Sequence, residues 1–182
     1  MQDKQDKVLE LFFNKPKHWH FEELRRKAEI SKPQLAQWLK VFEKEKLIER
    51  VKPRGKMPYY VGNINNPIFR NRKKFFAKEM LLKSGLLDHL VTLKKAKVIV
   101  IFGSMSRWDW YDDSDIDIFI YGKDDDFEQG KYELKIKREI ELHHAETPKD
   151  LKRMDKLLPN IVSGDFIKGS MQDLEVEIHA KI

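Results

Sequence analysis

Apolar positions change their period along this chain, and the changes divide it. Over residues 1–62 they recur mainly at helical spacing. Val8, Leu11 and Phe12 stand at i, i+3 and i+4, and Leu35, Trp38, Leu39 and Phe42 at i, i+3, i+4 and i+7. The first set predicts an amphipathic helix that Asn14-Lys15-Pro16 ends. The second predicts a helix capped by Ser31, with Gln34 three residues later completing a capping-box pattern. Between them 22–28 reads as a short helix, entered from a small strand at Trp19. The runs 47–51 and 59–61 then read as strands joined by the basic turn Lys52-Pro53-Arg54-Gly55-Lys56. Helical spacing returns over 66–83, opened by Asn66-Pro67 and broken at Ser84-Gly85, and again over 86–95.

The remainder is organised by strands. Val98-Ile99-Val100-Ile101-Phe102 is a β-branched run that reads as a buried strand, and 116–121 reads as its neighbour. Alternation sends Ile116, Ile118 and Ile120 to one face, toward helices. Asp115 and Asp117 take the other face, about 7 Å apart along the strand. Residues 138–142 read as a later strand with Thr147-Pro148 as its exit; Glu139, Glu141 and His143 share one face while Ile140 and Leu142 take the opposite one. A helix over 150–158, a short helix over 160–162 and a final strand over 174–178 complete the expected elements.

Composition narrows the class of protein. The chain has 182 residues, room for one ordinary domain or two small ones. It has no cysteine, which excludes disulfides and zinc-thiolate sites. No apolar run approaches the roughly 20 residues of a membrane span, and the charged start MQDKQDK lacks a signal-peptide core, so a cytoplasmic protein with no membrane partner is expected. The net charge of +6 conceals a division: residues 1–97 hold 24 Lys or Arg against 11 Asp or Glu, whereas 98–182 hold 12 against 19. A basic half suits a polyanion, and an acidic half suits metal or a basic protein surface.

The densest chemical signal lies between the two predicted strands. Gly103-Ser104 is followed by ten residues, Met105 to Ser114, and then by Asp115-Ile116-Asp117. Paired strand acids suit a divalent ion with hard oxygen ligands. A glycine-serine turn could hold phosphates through its amides and the Ser104 hydroxyl. These residues resemble the DNA polymerase beta-like nucleotidyltransferase superfamily, in particular its minimal prokaryotic-type members. Arg107 matches the arginine usual in that turn, while Trp108 stands where many members have glycine. The resemblance implies a third acid on a later strand, Glu141 by the family's pattern, in a place where Asp is commoner. It also implies Mg2+ or Mn2+ held by Asp115, Asp117 and Glu141, and a nucleoside triphosphate, ATP first among them, held by Gly103, Ser104 and Arg107. The expected reaction moves a nucleoside monophosphate to an acceptor hydroxyl by a two-metal mechanism. A protein side chain, such as one on a partner toxin, is the leading acceptor; a nucleic-acid end and a small molecule remain open. Whether Glu139 or His143 contributes is also open. His143 and His144 are neighbours that face opposite ways, and are read as structural or solvent-exposed.

The order of elements over 1–62 resembles the winged helix-turn-helix superfamily, whose third helix enters the major groove while the wing touches an adjacent groove or backbone. On that resemblance Gln34 and Gln37 would read adenine edges, and Lys32, Lys40, Lys44, Arg54 and Lys56 would meet phosphate. The helix over 66–83 carries Arg70, Arg72, Lys73, Lys74 and Lys78 beside Phe69, Phe75, Phe76 and Met80. It would extend the polyanion surface or form the seam of a homodimer. The expected fold class is therefore α/β in the α+β sense, an N-terminal winged helix plus a mixed nucleotidyltransferase-type sheet with helices on one face. The expected domains are 1–62, a basic helical linker over 63–97, and 98–182. A competing expectation is a non-catalytic transcription regulator whose nucleotidyltransferase-like half senses nucleotide or mediates assembly.

Overall fold

A computed structural model describes residues 4–174, which fall into two compact units. The first comprises residues to Phe76 together with Trp110–Asp112; the second comprises Ala77–Asp109 and the residues from Asp113 onward. The stretch 63–97 is thus divided between them. Among the described residues no helix is long and apolar enough to cross a membrane.

In the first unit, α1 (Lys4–Asn14), α2 (Phe21–Ala28) and α3 (Lys32–Lys44) precede an antiparallel hairpin of β1 (Ile48–Val51) and β2 (Tyr59–Gly62). On α1 the buried stripe is Val8, Leu9, Phe12 and Phe13, so Leu11, expected in the core, lies only at its margin. The reason is that two adjacent pairs at i and i+4 define a broader apolar face than one triplet. Glu29 ends α2 in the left-handed conformation at φ 55°. Ser31 then caps α3, its hydroxyl accepting from the Gln34 amide at 3.4 Å. The capping box is incomplete: the Gln34 side chain receives a hydrogen bond from the Ser31 hydroxyl at 3.2 Å, where the box would place it on the Ser31 amide. Leu35, Leu39 and Phe42 are buried, while Trp38 is half-buried. Trp19 forms the expected short strand by exchanging both backbone hydrogen bonds with Tyr60 at 2.9 and 2.8 Å.

Helix α4 (Pro67–Ser84) begins at the proline. Its Phe69, Lys73 and Ala77 follow at i, i+4 and i+8 and are all buried. Lys73 was expected on a basic surface and is instead 1% exposed, its ammonium 4.1 Å from the Tyr111 ring centre and 4.8 Å from that of Trp110. The aromatic rings substitute for part of its hydration. Trp110, fully buried, also packs on Phe13 and Phe76.

The second unit is built on a four-stranded mixed sheet of order β5-β4-β3-β6, comprising β3 (Ala96–Phe102), β4 (Ile116–Gly122), β5 (Ile140–Ala145) and β6 (Asp165–Lys168). Strands β3 and β4 are antiparallel, β3 and β6 antiparallel, and β4 and β5 parallel. Both faces of the central strands are apolar: Ile99, Ile101, Ile116, Ile118 and Ile120 are buried on one, Val98, Val100, Phe102, Phe119 and Tyr121 on the other. The second set clusters with Leu151 of α8 (Pro148–Arg153) and Ile161 of α9 (Leu158–Val162). Helix α5 (Leu86–Thr92) precedes β3, and the four-residue α6 (Gly103–Ser106) follows it. Helix α8 starts at Pro148, ahead of the expected 150, because Thr147 and Asp150 make a complete capping box there. Two elements have no counterpart in the sequence expectation: α7 (Gln129–Ile136), which carries the chain from β4 to its parallel partner, and β6. Leu174 closes a 3-10 turn (Met171–Leu174); the rest of the final strand expected over 174–178 lies outside the described residues.

Candidate active site

Asp117, the second residue of β4, lies opposite Glu141, the second residue of β5, in the parallel register. His143 follows on the same face of β5, opposite Phe119. One donor atom from each of Asp117, Glu141 and His143 can be chosen so that all lie within 4.8 Å of one another. His143 Nε2 is 3.4 Å from Glu141 Oε1 and 3.9 Å from Asp117 Oδ1. The imidazole rests on Phe102, ring centres 5.1 Å apart. The parallel pairing brings acids 24 positions apart in sequence side by side, because each stands second in its strand.

The glycine of the turn is fixed by contact. Gly103 has φ +69°, and a Cβ placed on it would stand 1.9 Å from Asp117 Oδ2 and 2.7 Å from its Cγ. The carboxylate therefore occupies the space that any other residue's side chain would need. Ser104 is half-buried in α6, and the neighbouring Ser106 hydroxyl donates to the Gly103 carbonyl at 3.1 Å, closing the turn. Arg107 is exposed and forks onto Asp109, with bonds of 3.1 and 3.0 Å. Asp115 is exposed, one residue ahead of β4 and outside the Asp117–Glu141–His143 group. Arg138 donates to the Ser114 carbonyl at 2.9 Å and the Ile116 amide donates to the Glu139 carbonyl, so both sides of Asp115 are tied down.

Burial, first, and the nearby negative charge of Glu141 push the Asp117 carboxyl above the usual carboxylate range. Asp115 adds to this, and His143 and Arg107 partly offset it. Such crowding is what a cation relieves. Two carboxylates and an imidazole directed at one point are a donor set that fits a divalent ion. The sequence left the contribution of His143 open and favoured a structural or exposed role, although alternation had already put it on the face of Glu141.

The residues read as a DNA face occupy the first unit. Gln37, Lys40 and Lys44 are exposed on α3, and Arg54 and Lys56 flank Gly55 (φ +70°) in the β1–β2 turn. Two others already have partners: Lys32 pairs with Glu22 at 3.2 Å, and Gln34 is engaged by Ser31.

A mixed sheet bearing a glycine-serine turn against strand acids is a nucleotidyltransferase-type fold. Residues 85–170 match the family model described as polymerase beta, nucleotidyltransferase, which supports a nucleotidyltransferase-type fold for this part of the chain. No curated protein and no solved structure matches the chain.

Proposed function

We propose that the protein transfers a nucleoside monophosphate from a nucleoside triphosphate, ATP first among them, to an acceptor hydroxyl in the cytoplasm. The observation that carries this reading is the Asp117 carboxylate seated on Gly103 with Glu141 in register beside it. Asp115, Asp117 and Glu141 would hold Mg2+ or Mn2+. Such ions, when bound, stabilise negative charge on the attacking and the leaving oxygens. Gly103 and Ser104 receive the triphosphate at the turn, and Arg107 supplies positive charge to it after exchanging Asp109 for phosphate. Glu141, half-open to solvent at 59% side-chain exposure, and the exposed Asp115 leave the site accessible to a bulky acceptor, which favours a hydroxyl on a protein such as a partner toxin.

The first unit is read as a winged helix that binds DNA through Gln34, Gln37, Lys32, Lys40, Lys44, Arg54 and Lys56, with a homodimer matching paired half-sites. The test is incubation with each of the four triphosphates and Mg2+ or Mn2+, with and without host lysate, following pyrophosphate release and label transfer. Transfer that disappears in Asp117→Ala is the expected result. Tight nucleotide binding without transfer under any condition would replace the enzyme with a nucleotide-sensing regulator.

A further inference from the structure

We propose that His143 is a ligand of the metal ion held by Asp117 and Glu141, so that this position selects a first-row transition ion over Mg2+. The inference rests on the nucleotidyltransferase reading of the acids as an ion site and adds to it a ligand and a selectivity.

Three observations place the imidazole there. Strand alternation and the β4–β5 register put His143 on the face of both acids. Its Nε2 points between them, 3.4 Å from one carboxylate and 3.9 Å from the other. Adjacent ligands on an ion with bonds of roughly 2.1 Å stand about 3 Å apart, so the two gaps between His143 and the carboxylates need to close by less than about 1 Å. The ring is also held: its side chain is 16% exposed and packs against Phe102, itself buried in β3. Asp115 stands in the loop ahead of β4, outside the group that Asp117, Glu141 and His143 form, so the imidazole adds a donor to the acids and displaces none of them.

The change of donor has a chemical meaning. Mg2+ takes hard oxygen ligands and retains much of its water, whereas imidazole suits transition ions, whose affinities rise from Mn2+ toward Cu2+. An oxygen, oxygen, nitrogen set therefore gains affinity for Mn2+ that it does not gain for Mg2+.

The rival account of the same distances is that His143 only neighbours the two acids and is never a ligand. Mn2+ and Mg2+ binding to the full chain, by calorimetry and by Mn2+ paramagnetic resonance, separates the two. The variants are His143→Ala, His143→Gln and Asp117→Asn, each checked by circular dichroism. Substoichiometric Mn2+ should broaden most strongly, among the six histidine ring resonances in proton NMR, the one missing from His143→Gln. Both His143 variants should lose at least about 10-fold in Mn2+ affinity while Mg2+ affinity moves far less. Mn2+ binding that depends on Asp117 but is unchanged in a folded His143→Gln would overturn the inference and leave the acid site standing. Binding indifferent to Asp117 would remove both. Agreement of the two folded His143 variants guards against a merely disrupted strand.

Discussion

In the second unit the polar groups that matter are mostly short side chains on paired strands; in the first they are mostly long side chains on an exposed helix and a turn. Asp117, Glu141 and His143 have their relative positions set by backbone register, and Gly103 fits the Asp117 carboxylate with no room for a methyl group. Lys40, Lys44, Arg54 and Lys56 are exposed, and their long side chains carry the charge well away from the backbone. The difference is between a site whose geometry is preorganised and a surface whose contribution is charge density. A change of one methyl group should be decisive in the one and a change of one charge slight in the other.

The largest expected effect tests that directly. Gly103→Ala displaces Asp117 by more than the tolerance of a reacting centre and should reduce label transfer by about 100-fold or more. The DNA affinity proposed for the first unit, measured on the same preparation, should not change. If the Ala variant retains most transfer, the site is more compliant than its contacts imply.

Asp117→Asn sharpens the comparison from the side of stability. The folded-state pKa of Asp117 is raised, so its burial is harmless when the group is neutral in both states and becomes costly as pH rises through the folded value. In chelator at pH 7 the Asn variant should therefore melt above the parent by roughly 2–5 °C. The gap should shrink toward pH 4, as differential scanning calorimetry would show. A divalent ion added to the parent should close it as well.

Smaller effects belong to the first unit. Ser31→Ala removes the cap of α3 and should cost about 1 kcal/mol in a chemical denaturation series. On the proposed winged-helix reading, Lys40→Ala should lower the salt slope of duplex DNA binding by about 1 while weakening all sequences alike. A variant that instead changed which sequence is bound would mean that this helix face is as tightly positioned as the acids.

What the sequence makes legible follows the same division. The β-branched run 98–102 and the Ile116/Ile118/Ile120 alternation announce their strands because the sheet buries them, and Asn66-Pro67 and Ser31 announce helix starts through backbone chemistry. Helix α7 is obscure for a physical reason. Only Tyr132 of its residues is buried, and Leu134 is 82% exposed. It is anchored by polar bonds, with Glu133 accepting from the Ile140 amide and Gln129 donating to the Ile140 carbonyl, bonds that no apolar periodicity announces. The Lys73 burial is equally hidden, since the rings that receive it are Trp110 and Tyr111, far along the chain. At the site, spacing brings Gly103 and Asp117 into view, and the family resemblance adds Glu141. The close fit of Gly103 to Asp117, and the way His143 meets both acids, required the cross-strand register.

Because β4 and β5 run in parallel, the connection between them must pass outside the sheet, and its length is uncoupled from the placement of the acids. Register is decided strand against strand, so residues 123–137 can lengthen, shorten or be exchanged without moving Asp117 or Glu141, provided that the anchor on Ile140 and the ties from Arg138 and Glu139 are kept. Doubling the length of such a connection adds only about 0.6 kcal/mol of closure entropy. The crossover is thus the natural place for this domain to diversify, where new segments can be grafted by insertion or recombination while the acids beside it are inherited intact.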